Sequence, residues 1–241
     1  MALPARLTSA VGALSAPCVV TASDEDIEEL YDYDALRAVT EPSAFIVHVE
    51  ESTVVLGSRQ RVDLLTDEFR RSCTIRRRRG GGGIVLIQPG DLWVDWWIPS
   101  SDRRWSADLR ETSRQGGHRW REALRGEVVG ELTVHDGPLE VDGALGVVCF
   151  TGLGPGEVFM GDRKVVGVTQ WRVREGTLVS TVLHGHPTLP LVAGLADPPP
   201  GIEQALGHHT TASLGLDADA IVRNLVLIDG PWTARQLLLS D

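Results

Sequence analysis

The sequence is poor in cysteine and has no long apolar run. Its three cysteines, Cys18, Cys73 and Cys149, are odd in number and widely spaced. This spacing argues against a disulfide framework and a zinc site, and it favours free thiols in a reducing compartment. No apolar stretch reaches the length of a transmembrane helix. Residues 1–20 contain one basic residue, Arg6, and no convincing cleavage pattern, so we expect a cytoplasmic protein that does not enter the membrane.

Basic residues are also scarce relative to acidic ones. The chain has 23 lysines and arginines against 33 aspartates and glutamates, and its formal net charge is -10. This balance argues against general nucleic-acid binding. With 241 residues, 42% of them hydrophobic, the chain can form one large domain with a substantial core. We expect a single domain over 1–241, with its core at about 23–195 and a helical C-terminal segment at 196–241.

One stretch concentrates positive charge against this acidic background. Arginines 76–79 run directly into glycines 80–83, and the apolar run Ile84 to Ile87 follows. Glycine leaves backbone N–H groups open to a ligand, and arginine offers planar, permanently charged donors for phosphate or carboxylate. A solvated charge run or a flexible linker would not continue into a buried strand. The stretch therefore predicts a loop that holds an anionic ligand between strands.

The other patterns predict a mixture of helices and strands. A capping pattern and an apolar stripe predict a helix over 23–39, and 105–125 has helical spacing. Segments 216–227 and 231–239 are also predicted to be helical. Cys149 and Lys164 are expected on neighbouring antiparallel strands. The predicted strands cover 45–49, 53–56, 84–87, 92–98, 147–150, 164–172 and 177–183, with a tight turn at 161–162.

Three linked motifs carry a resemblance to a known family. They are LGSRQ at 56–60, RRRGGGGIV at 77–85 and GDRKVVGVTQ at 161–170. In this order and spacing they resemble the lipoate–protein ligase A family, which includes octanoyl- and lipoyltransferases and shares a catalytic domain with biotin protein ligases. The resemblance covers roughly residues 43–185. It implies an α/β (α+β) fold, with a central mixed or antiparallel sheet flanked by helices. It also implies transfer of a lipoyl or octanoyl group to a lysine of a lipoyl domain.

The resemblance also implies a set of site residues. Lys164 matches a lysine that the family aims at the activated carbonyl and phosphate, and such a cation can stabilise the charge that develops there. We expect the arginine–glycine loop to line the main pocket, with Lys164 facing it. The matched binding residues are Arg77, Arg78, Gly80, Gly81 and Gly82, with Gly83 beside them, and then Gly167 and Gln170. An apolar tunnel for the acyl chain is expected to be lined by Val54, Leu56, Val85 and Val166.

Cys149 favours one branch of that family. The octanoyltransferase branch has a Cys–Phe pair fifteen residues before the lysine, which is the separation of Cys149-Phe150 from Lys164. In that branch the cysteine takes the acyl group from an acyl carrier protein as a thioester and then passes it to a lysine. A nearby ammonium favours the reactive thiolate form of a cysteine. The alternative is a buried structural cysteine within the apolar run 147–150.

The sequence departs from the family pattern at several positions. Arg79 stands where the family has a small serine or threonine, Leu86-Ile87-Gln88 replaces its histidine–aspartate pair, and Ser180-Thr181 replaces its histidine–glycine. These departures admit a divergent enzyme, and they also admit a chain that binds an acyl ligand without turnover.

Three hypotheses remain open. The first is a cysteine-dependent octanoyl- or lipoyltransferase that acts through Cys149, needs no cofactor, and serves a lipoyl-domain acceptor. The second is an ATP-dependent lipoate ligase, with ATP and Mg²⁺ as cofactors, in which Lys164 and the arginine–glycine loop hold lipoyl-AMP. The third is a non-catalytic acyl-ligand binder or interaction module. Full ligases of the family that the chain resembles usually carry an accessory domain after the catalytic one; we expect the residues after about 190 to be too few for it, which favours the first hypothesis. No protein-bound metal is predicted.

Overall fold

The fold is taken from a computed structural model, which describes Asp24 and residues 27–185, 189–207 and 216–239. Cys18 and the predicted capping pair Ser23 and Asp26 lie outside the described residues. No helix in the described ranges is long and apolar enough to cross a membrane. The α-helices are α1 (Tyr33–Arg37), α2 (Asp67–Arg70), α3 (Leu109–Ala123), α4 (Pro190–Gly194), α5 (Ile202–Gly207) and α6 (Ala218–Leu227).

The strands form two sheets. They are β1 (Ser43–Val49), β2 (Thr53–Leu56), β3 (Thr74–Arg77), β4 (Val85–Ile87), β5 (Leu92–Pro99), β6 (Leu132–Val134), β7 (Val158–Met160), β8 (Arg163–Arg172), β9 (Gly176–Leu183) and β10 (Thr233–Leu239). The large sheet has the order β10-β1-β5-β9-β8-β7-β6, and the small sheet has the order β3-β2-β4. Both sheets are mixed, because β10 runs parallel to β1 and β3 runs parallel to β2, whereas the other pairs are antiparallel. The predicted fold class, a mixed sheet flanked by helices, is confirmed.

The tryptophan-rich stretch forms strand β5, which is apolar on both faces. Side chains alternate along a strand, so Trp93 and Trp97 face one core while Trp96 and Ile98 face the other. The first core lies between the large sheet and a layer formed by the small sheet with α1, α4 and α5. The second core lies between the opposite face and helices α3 and α6. The large sheet is therefore buried on both faces, as its continuous hydrophobic runs require.

The predicted helix over 23–39 is wrong for most of its described part. Helix α1 covers only Tyr33–Arg37, and Asp32 caps it by accepting from the Ala35 N–H at 2.9 Å. The preceding residues run extended beside β3, where Leu30 N donates to Arg77 O at 2.8 Å and Arg77 N donates to Glu28 O at 2.9 Å. The acidic residues of this segment bond to the arginines of β3, and this distant pairing overrides the local helical pattern.

The predicted helix over 231–239 is also wrong, because this segment is strand β10. It lies parallel to β1, with Ser43 opposite Thr233 and Val49 opposite Leu239. A short apolar run does not by itself distinguish a helix from a buried strand. The partner strand lies almost two hundred residues earlier in the chain, so the local sequence carried no sign of it.

Candidate functional site

A cavity lies between the small sheet and one face of the large sheet. It encloses about 460 Å³, including its mouth open to solvent. Its walls are mostly apolar. The small sheet contributes Val55, Val85 and Ile87, and the large sheet contributes Trp93, Gly167, Thr169 and Val182.

The glycine loop wraps around the Arg78 side chain. Its guanidinium is buried and donates to three backbone carbonyls, those of Val55 at 3.1 Å, Gly81 at 2.9 Å and Gly83 at 2.7 Å. The Thr169 hydroxyl donates to the same Gly81 carbonyl at 3.0 Å and ties the loop to β8. The loop conformation thus depends on a buried cation, and Arg78 directs most of its donors to the loop rather than into the cavity.

The other three arginines of the run are paired with the acidic residues that precede α1. This arrangement differs from the anion cradle expected of them, because acidic side chains of the same chain already occupy their donors. Arg79 also stacks on the ring of Tyr33 at 4.8 Å. The pairs are Arg76 with Glu28 at 3.0 Å, Arg77 with Asp24 at 2.7 Å and Arg79 with Glu29 at 2.6 Å.

Cys149 lies in the cavity wall next to the glycine loop. Its thiol donates to the Gly83 carbonyl at 3.1 Å, and Arg78 Nη2 lies 3.6 Å from the sulfur. The predicted strand over 147–150 is wrong, because a 3₁₀ turn spans Gly143–Val147 and only an isolated bridge follows. Cys149 N donates to Ile84 O at 2.8 Å, so the thiol is attached to the end of the glycine loop. The nearest cation to the thiol is therefore Arg78.

Lys164 is the only lysine of the sequence, and it is buried. Opposite β7, Val158 pairs with Val166 while Phe159 pairs with Lys164, so Val165 is an extra residue in β8. Such a bulge interrupts the alternation of side chains, so Lys164, which precedes the extra residue, lies on the face opposite to Val166. Lys164 consequently shares a face with Gly167, on the cavity side. Its ammonium forms an ion pair with Glu157 Oε2 at 2.7 Å.

The Phe150 ring packs against Lys164 and His184 in the cavity wall. It lines the cavity, and its centroid lies 5.2 Å from Lys164 Nζ and 4.4 Å from the His184 ring. A Cβ on Gly167 would approach the ring to 2.9 Å, so only glycine fits there. Phe150 has φ +76°, a left-handed conformation that is strained for an aromatic residue. In the described part of the chain no hydrogen bond joins Cys149 to Lys164, and the Lys164 ammonium pairs with Glu157 instead.

Glu157 is a site residue that the sequence analysis missed. Its carboxylate lines the cavity, and it accepts the Gly154 N–H at 2.6 Å as well as the Lys164 ammonium. Burial raises the pKa of the Glu157 carboxyl, and the adjacent Lys164 ammonium opposes that rise. The loop before it is held against α3, because a Cβ on Gly156 would lie 2.1 Å from the Ser113 carbonyl oxygen. The Gly-Pro-Gly sequence before Glu157 is the sequence feature that could have indicated this residue.

Asp95 is a second buried carboxyl that the sequence analysis passed over. It lies on β5 directly beneath the cavity floor and is fully buried. Its Oδ1 accepts from Trp93 Nε1 at 2.6 Å and Thr181 N at 3.1 Å, and its Oδ2 accepts from the hydroxyls of Tyr31 at 2.6 Å and Ser180 at 2.8 Å. Burial raises its pKa to about 6, although all four hydrogen bonds favour the ionised form. An acidic residue inside an apolar strand was the signal for such a network.

The predicted site residues divide between this cavity and other surroundings. Arg78, Cys149 and Gly167 line the cavity, and Gly82 and Gly83 contact the cysteine. Gln170 lies on the opposite face, where its amide donates to Leu109 O at 2.8 Å. Gly80 packs against Thr169, whereas a Cβ on Gly81 would meet open space. Of the four predicted tunnel residues, Val85 lines the cavity, while Val54, Leu56 and Val166 belong to the two cores.

Comparisons with known proteins connect this geometry to one fold. No protein-family model and no curated protein matches the sequence. Among solved structures, a bipartite lipoate protein ligase of Thermoplasma acidophilum, studied with its E2 lipoyl domain, has a TM-score of 0.63 and 17% identity, and the match covers 87% of this chain and 80% of that one. The chain has the lipoate–protein ligase fold.

Two further structures agree with this fold. A candidate lipoate protein ligase of T. acidophilum with bound lipoic acid has a TM-score of 0.62 and 16% identity. Lipoate–protein ligase A bound with ATP has a TM-score of 0.60 and 16% identity. Each match covers 87% of this chain and 82% of the other. At such identities the likeness concerns the fold.

Proposed function

We propose that this protein transfers an octanoyl or lipoyl group to a lysine of a lipoyl domain through a thioester on Cys149. The observation that carries the proposal is the position of the thiol, which opens on an apolar cavity and has a guanidinium 3.6 Å from its sulfur. The proposed binding residues are those at the cavity, Arg78, Gly82, Gly83 and Gly167, and Lys164 is the second proposed catalytic residue.

The chemistry follows from these neighbours. The Cys149 thiol faces the cavity beside the Arg78 guanidinium, and the thiolate is the nucleophilic form of a cysteine. The apolar walls suit an acyl chain, since each buried CH₂ contributes about 0.8 kcal/mol. The thiolate would attack the carbonyl of a thioester donor such as an acyl carrier protein, and the donor thiol would leave. A lysine amine of the acceptor would then attack the new thioester, form the amide and release Cys149.

ATP-dependent lipoate ligation is the second candidate, because a protein of this fold binds ATP. A nucleotide phosphate needs cationic donors. In the described part of this chain those of Arg77 and Arg79 bond to Asp24 and Glu29, and the Lys164 ammonium bonds to Glu157. These side chains do not fit a phosphate as they stand, and this supports the thioester route over the adenylate route.

Intact-mass spectrometry tests the proposal. The protein is incubated with octanoyl carrier protein in one sample, and with lipoate, ATP and Mg²⁺ in another, before a lipoyl domain is added. An octanoyl adduct that is lost in Cys149→Ser and kept in the matched control Cys73→Ser would support the thioester route. ATP-dependent transfer that survives Cys149→Ser would establish the ligase. Binding of octanoate without any transfer would identify an acyl-ligand binder.

A further inference from the structure

The second half of the proposed transfer needs a proton acceptor. An acceptor lysine has an ordinary pKa of about 10.4, so it arrives as an ammonium at neutral pH and must lose a proton before it attacks. Lys164 does not suit this task, because its amino group is already engaged in the ion pair with Glu157. Arg78 keeps its proton under all ordinary conditions.

Glu157 is the one carboxylate among the described residues that line the cavity. Two fixed donors hold it in position, the Gly154 N–H at 2.6 Å and the Lys164 ammonium at 2.7 Å. The bulge in β8 is the feature that brings Lys164 to this side of the sheet. An isolated carboxylate in an apolar wall would tend to protonate, and the paired ammonium keeps it available to accept a proton.

We propose that Glu157 is the general base that removes a proton from the acceptor lysine, an inference that rests on the proposed function. The carboxylate takes one proton from the acceptor ammonium and later releases it to solvent. The free amine attacks the thioester carbonyl, and a C–N bond forms. The C–S bond then breaks, and the departing Cys149 thiolate takes the second proton from the nitrogen. Lys164 orients Glu157 throughout and favours its ionised form before the proton is transferred.

This role separates Glu157 from Cys149 in the reaction sequence. The acylation of Cys149 requires no proton from an amine, so it should not depend on Glu157. Burial raises the pKa of the Glu157 carboxyl toward neutral pH, and a pKa in that direction suits a general base. A purely structural carboxylate would affect both steps, or neither of them.

The test compares two nucleophiles on preformed acyl-enzyme. Octanoylated wild type and Glu157→Gln are treated with the lysine of a lipoyl domain or with hydroxylamine, which is already neutral at pH 7 and needs no base. We expect Glu157→Gln to acylate Cys149 normally and to react with hydroxylamine like the wild type. Its transfer to lysine should fall by about 10²–10⁴-fold, the usual contribution of a general base.

Two results would overturn the assignment: equal slowing with both nucleophiles, or no slowing with either. If Glu157→Gln does not fold, Glu157→Asp keeps the ion pair with Lys164 but shortens the side chain by one methylene, and the same selective loss of lysine transfer is expected. Failure of the wild type to acylate Cys149 would overturn the proposed function itself, and this inference with it. A variant that loses only the transfer to lysine must still be folded, because misfolding would also slow the acylation of Cys149 and the reaction with hydroxylamine.

Discussion

Replacement of Asp95 by asparagine should change how stability depends on pH. The pKa of Asp95 is about 6 in the folded protein, against 3.8 for the unfolded chain. Between these values the folded state binds more protons than the unfolded state, so the free energy of unfolding falls as pH rises. The contribution is fully present below about pH 4 and is lost above about pH 6. A difference of about 2.2 pKa units corresponds to about 3 kcal/mol.

Asparagine should fit the site because the four donors are of two kinds. The fixed N–H groups of Trp93 and Thr181 point at one carboxyl oxygen, where the amide oxygen would lie. The hydroxyls of Tyr31 and Ser180 point at the other oxygen, and both can rotate to accept from an amide NH₂. Asp95→Leu is the matched control, since it leaves these donors without an acceptor at about 1–3 kcal/mol for each.

The assay is urea unfolding of wild type and Asp95→Asn in parallel between about pH 4 and about pH 7. Every other titrating group is shared, so its contribution cancels in the difference. We expect Asp95→Asn to gain about 3 kcal/mol relative to wild type over this range. A difference that does not change with pH would refute the reasoning and would mean that Asp95 keeps an ordinary pKa in the fold.

Two further substitutions, each with a matched control, test the cavity wall by urea unfolding. Gly167→Ala brings a Cβ to 2.9 Å from the Phe150 ring and should cost about 1–3 kcal/mol, whereas Gly81→Ala meets open space and should change little; equal effects would contradict the contact. Arg78→Lys loses the fork that bonds the loop carbonyls and should cost at least about 2 kcal/mol. Arg79 pairs with the half-exposed Glu29, so Arg79→Lys should cost below about 1 kcal/mol. A larger loss of stability in Arg79→Lys than in Arg78→Lys would contradict the structural role given to Arg78.

The parts of the fold that depend on local sequence patterns were predicted correctly. Strands β5, β8 and β9 were predicted from apolar runs bounded by turn residues, and all three are present. The helix near 105–125 was also predicted, and it appears as α3. The family resemblance indicated residues that lie together, since Cys149 and Gly167 line one cavity.

The errors have a common physical cause, which is pairing between distant residues. Strand β10 is fixed by β1, and no pattern within 231–239 reveals it. The direction of Lys164 depends on one extra residue in β8, which shows only when the strand is aligned with β7. Tunnel residues were displaced by one position, with Val55 inside the cavity in place of Val54, because a strand exposes alternate side chains and its register was unknown.

The single buried lysine has a consequence for self-modification. Only one of the 23 basic side chains is a primary amine, and it is held in an ion pair beneath the surface. Guanidinium groups remain protonated and are poor nucleophiles toward activated carboxyl compounds. A protein that handled reactive acyl groups would therefore offer them almost no amine of its own. The chain can carry positive charge across its surface and still leave an incoming lysine as the favoured acyl acceptor.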